Sequence, residues 1–268
     1  MRLRLLALGV LLAGCGSTGA PVPPAWAPST PTTPAAVDFP VAAVPRPIVL
    51  MGPPLVNVVG YGSDAEKVAA SSGRFSFTGA EPATPGPTSV FLPDGRATFP
   101  LIGARDAVAA MSADRGEGMT LELVSAELST VVFQTDRGAL ELPAWKFRTP
   151  SGSVLAWPAI TPDAFWKFGE VRYALHHATT TGDGVQLEVE LPAPTPPCPG
   201  EAETVTETVV VEAATSVTVG LRTVSEGDGN CARDAMYRTR THTVRLKEPL
   251  GARVLLDENN GVIPVTTR

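Results

Sequence analysis

The sequence predicts an all-β protein in two antiparallel, sandwich-like domains. Three observations lead there. Apolar and polar residues alternate with period two in many short runs, as at residues 74–78 and 185–191, so each run has one face to bury and one to wet. Gly, Pro, Asn-Gly and Asp-x-Gly turns separate the runs. A helical stretch occurs once, and there are no internal repeats, heptads or regular helix–strand alternation.

Before the first run come two segments that do not fold. Residues 1–14 hold Arg2 and Arg4 and then an apolar stretch from Leu5 to Leu12. That stretch is too short to span a bilayer and fits a secretory leader. Residues 15–47 form a tether. Nine prolines between Pro21 and Pro47 remove donors and fix φ, so neither helix nor sheet propagates. Fully extended as polyproline II, such a tether reaches about 100 Å.

Residues 48–181 are expected to form the first domain. Short β-branched runs fall at 48–50 and 55–59, and alternating runs at 74–78 and 154–160. A hairpin at 90–99 turns through Pro93-Asp94-Gly95. Residues 104–111, Ala-rich and short, are the one expected helix. The clearest hairpin joins 128–135 to 140–147 across Asp136-Arg137-Gly138, with Gly138 at the left-handed position. Pro143 on its second arm implies an edge or a bulge. Trp145, Phe147, Leu155 and Trp157 are expected as core rather than as an aromatic ligand platform.

Residues 182–268 are expected to form the second domain. Strands are read at 185–191, 204–212, 216–221 and 237–246. A terminal hairpin turns on Asn260-Gly261, and Pro264 puts the last strand at an edge. A single continuous β domain and an α+β first domain are the alternatives.

The four residues Leu12-Ala13-Gly14-Cys15 resemble the lipobox of bacterial lipoproteins. The resemblance implies cleavage before Cys15 and a diacylglyceryl group on its sulfur, whose two chains make a firm anchor. Cleavage near Ala20 is the other possibility, and Pro21 makes that a poor peptidase site. Phe133-Gln134-Thr135-Asp136-Arg137-Gly138, with Leu142-Pro143-Ala144-Trp145, and the stretch from Val244 to Asp257 are similar to uncharacterised secreted lipoproteins of actinobacteria. That similarity implies no activity.

Export decides how the cysteines are read. With Cys15 lipidated, Cys198 and Cys231 remain as an even pair in an oxidising compartment, and a disulfide is expected. In an up-and-down strand order their two loops fall at one end. The bridge is worth roughly 3–4 kcal/mol on the chain-entropy model.

Composition limits the partners. The net charge is −6, and loss of the leader with its two arginines and no acids takes it to −8. No basic cluster is present, so nucleic acid is not expected as a partner. No cofactor and no metal are expected. His176 and His177 are adjacent, which on a strand puts them on opposite faces, and His242 stands among Arg and Thr. Gly182-Asp183-Gly184 and residues 226–230 are better explained as turns than as calcium loops. Gly60-Tyr61-Gly62-Ser63-Asp64 only approaches a nucleophile elbow. Arg238 and Arg240 along one strand, with Glu201, Glu203 and Glu207 near another, are expected as cross-strand ion pairs on a wet face. Two functions follow. One is a non-catalytic envelope module, tethered to the membrane through Cys15 and bound to an unknown envelope protein or glycan. The other is an exported hydrolase whose site is not visible in sequence, which a serine or carboxylate pair meeting a histidine in a cleft would support.

Overall fold

The computed structural model describes residues 37–112, 118–225, 231 and 236–268. The leader, Cys15 and the acidic turn 226–230 lie outside the described residues. The described residues belong to one compact unit, Pro34–Arg268.

In chain order the elements are β1 (Val56–Val59), α1 (Asp64–Ser71), β2 (Phe75–Phe77), β3 (Thr88–Leu92), β4 (Gly95–Phe99), α2 (Ala104–Met111), β5 (Leu121–Leu123), β6 (Ser125–Thr135), β7 (Gly138–Arg148) and β8 (Val154–Pro158). They continue with β9 (Ala178–Thr180), β10 (Gln186–Pro192), β11 (Val205–Glu212), β12 (Ser216–Ser225), β13 (Thr239–Arg245), β14 (Val254–Leu256) and β15 (Val265–Thr267). The architecture is all-β, as the alternation predicts.

The first half is built on a four-stranded antiparallel sheet of order β1-β8-β7-β6. The hairpin β6–β7 pairs without a break from Ser125↔Arg148 to Thr135↔Gly138. Gly138 has φ +96°, a conformation that costs a side chain strain and glycine none. Trp145, Phe147, Leu155 and Trp157 are all buried, as expected. The Trp145 indole donates to the carbonyl of Ile102 at 2.9 Å.

Pro143 does not sit on an edge strand, because β7 lies between β6 and β8. Its carbonyl accepts from Ala159 N, so its missing N–H points to the β8 side. Pairing with β8 ends at Ala144↔Pro158. The reciprocal acceptor, Ala159 O, takes its bond from Ile102 N instead, so the proline leaves no carbonyl unpaired there.

Two departures from the sequence reading matter. Helix α1 was not expected. Ser63 caps it, accepting from the Glu66 N–H at 3.2 Å, and Ser63-Asp64-Ala65-Glu66 is the sequence signature of that cap. Three strand pairs, β2–β5, β12–β14 and β9–β15, are parallel. Each is three residues long, too short to announce its partner.

The second half is two sheets, β13-β10-β9-β15 and β11-β12-β14. Leu187, Val189 and Val244 of one meet Val217, Val219 and Leu255 of the other in a single buried cluster. β9, which the sequence reading put in the first domain, pairs with β10. The chain crosses between sheets near its end: Ile263 N donates to Leu255 O, and β15 then forms the edge beside β9. A disulfide joins Cys198, before β11, to Cys231, after β12, with Cα atoms 6.2 Å apart.

A third, smaller cluster draws on both halves. Phe39 and Val49 pack there with Val254, Leu256 and Val262. Residues 37–47, read from sequence as tether, are therefore docked. Phe39 is 1% exposed and meets Trp166 edge-on at 5.3 Å. Burial of one phenylalanine, roughly 1.5–3 kcal/mol, outweighs the local bias of the prolines around it.

Candidate binding cleft

Where the two halves meet, the turn Thr135–Gly138 carries more contacts than a turn needs. Asp136 N donates to Val49 O, and Asp136 O accepts from Val265 N. The Asp136 side chain is 3% exposed. It accepts from Arg46 Nη1 at 3.1 Å and Nη2 at 2.6 Å, a forked pair of the geometry in which arginine excels. Arg46 is fixed further by its Nε donating to Ala252 O at 2.9 Å and by Phe39, whose ring centroid lies 4.6 Å from the guanidinium carbon. The local signals of the chain, turn residues and alternation, contain nothing that pairs residue 46 with residue 136.

Arg137 lies beside this pair. Its Nη2 donates to Gly251 O at 2.9 Å and Arg253 O at 2.5 Å. Its Nε is 3.8 Å from Asp136 Oδ2, beyond hydrogen-bond reach. Burial pulls its pKa down to about 10, against the upward pull of Asp136.

These residues floor a cleft of about 290 Å³. Its walls come from both halves: residues 46–49, Leu92, Pro93, Asp94 and Leu140 on one side, residues 180–182, Gly184, 250–252 and Thr267 on the other. A concave, partly apolar site with a few converging polar groups is the usual form of a small-ligand pocket.

A second polar cluster lies elsewhere. The Glu66 carboxylate accepts from Ser151 Oγ, from Ser153 Oγ at 2.7 Å and from Gly62 N at 2.9 Å. The hydroxyls of Ser151 and Ser153 hold its pKa down at about 2. This ties the start of α1 to the turn between β7 and β8. It brings serines to a carboxylate, and none of the described histidines joins them.

The three histidines are dispersed. His176 Nδ1 lies 3.1 Å from the hydroxyl of Tyr237, His177 Nε2 is 3.4 Å from Glu190, and His242 Nδ1 is 3.1 Å from Thr208 Oγ1. Burial, with Arg240 adding to it, lowers the pKa of His242. Asp183 closes a turn by accepting from Thr181 Oγ1 at 2.6 Å and Val185 N at 3.1 Å. Cys198, Glu201 and Cys231 lie close enough to suggest a metal set, but the two sulfurs are bonded to each other. Glu207 pairs with Arg222 directly across β11–β12, so its cross-strand partner is not Arg238 or Arg240. No protein-family model, curated protein or solved structure matches the chain.

Proposed function

We propose that the chain is an exported, lipid-anchored protein of the cell envelope that acts as a non-catalytic binding module, with the cleft between its two halves as the binding site. The cleft carries this reading. Its floor holds two guanidiniums and a buried carboxylate, and its walls are drawn from segments far apart in sequence. Leu12-Ala13-Gly14-Cys15 and the proline-rich segment behind it support the anchor. The cleft then faces the extracytoplasmic space.

In-cell photo-cross-linking tests both parts. A photoreactive side chain at Pro93, exposed at the cleft, is expected to give an adduct that the same group at Val58 on β1 does not. Cys15→Ser is expected to release the protein from the membrane or leave it unprocessed. Identical adducts from both positions would remove the cleft from the proposal. Unchanged mass and membrane retention in Cys15→Ser would remove the anchor.

A further inference from the structure

The charges at the floor of the cleft do not balance locally. Asp136 spends both oxygens on Arg46. Arg137 is left with two backbone carbonyls as acceptors for Nη2. Among the described residues nothing accepts from its Nη1. Its side chain is 16% exposed, and Nη1 is not among the buried atoms without a partner, so this donor reaches solvent. Both hydrogens of Nη2 are committed to those carbonyls, so Nη1 is the donor left, and its charge-assisted bond to a carboxylate oxygen is stronger than one to a neutral acceptor.

The apolar wall sits beside this spare donor. Ile48 and Leu92 are buried, and Leu140 and Leu250 line the same space. Asp94, exposed at the rim, accepts from the backbone N–H of Arg46 at 3.1 Å. Its charge disfavours a ligand that carries more than one negative charge. The volume is at the small end for ligand pockets.

From this we infer that the cleft takes a small monocarboxylate with an apolar body, its carboxylate on Arg137 and its body along Ile48, Leu92, Leu140 and Leu250. The inference rests on the binding function proposed above and names the ligand class for it.

Calorimetric titration of the full chain with hexanoate, hexanol and hexylammonium tests it, with an Arg137→Gln chain as the blank for partition into the lipid. Hexanoate is expected to saturate one site and to bind about tenfold or more tighter than hexanol. Hexylammonium is expected not to bind, and Arg137→Gln to bring hexanoate down to the level of hexanol. Should Arg137→Gln not fold, the ranking of the three probes on the parent chain decides alone. Equal binding of hexanoate and hexanol overturns the carboxylate and leaves the cleft a binding site. Failure of all three to bind overturns the ligand class and leaves the cross-linking at Pro93 to judge the cleft.

Discussion

Glu66 and Asp136 do the same local job in different surroundings. Each is a carboxylate that fixes a turn of the first sheet: Glu66 grips the β7–β8 turn, and Asp136 sits within the β6–β7 turn. Glu66, only half-buried, takes its bonds from two hydroxyls and an amide. Asp136 is almost wholly buried and faces two guanidiniums. In the more open setting of Glu66 a missing or surplus donor costs little. At the junction the second cation keeps only a small exposure, which favours an anion beside it.

The largest expected difference between the two carboxylates is in stability. Asp136→Ala leaves Arg46 and Arg137 buried without a counter-charge and is expected to cost about 3–5 kcal/mol, read by urea denaturation. Glu66→Ala is expected to cost about 1 kcal/mol. Equal losses would erase the distinction. Next in size is Gly138→Val. A β-branched residue at φ +96° should cost about 1–3 kcal/mol without touching a charge. No loss there would mean the turn relaxes and does not hold Asp136 in place.

A smaller effect separates the clusters by pH. Glu66 is held at about 2 in the folded chain against an ordinary 4.5. Its contribution is present above pH 4.5 and is lost as pH falls from there toward 2. Its partial exposure limits it to about 1 kcal/mol. Glu66→Gln should flatten the stability profile in that window. A profile identical to that of the parent would show that the three donors do not favour the charged form.

The hairpin 125–148 and its turn were legible because register and Gly138 are local signals, with period two on both arms and a glycine where φ is positive. Trp145 and Phe147 were legible as core for the same reason. What the turn does was not. Arg46 lies 90 residues from Asp136, in a segment whose prolines read as tether, and no periodicity links the two. Phe39 was hidden by the same prolines, since its burial depends on Trp166 and Val254 from distant parts of the chain. Helix α1 did carry a signal, Ser63 with Glu66, but its few apolar residues, Val68 and three alanines, make a weak stripe. The parallel pairs carried none.

The most direct test of the surplus charge is the stability of Arg137→Gln by urea denaturation, set beside Asp136→Ala. If Arg137 is the uncompensated cation of the junction, relief of its burial offsets the loss of its bonds to Gly251 O and Arg253 O. The variant is then expected within about 1 kcal/mol of the parent. A loss of about 3–5 kcal/mol, matching Asp136→Ala, would make Arg137 a structural clip and contradict its role as the seat of a ligand.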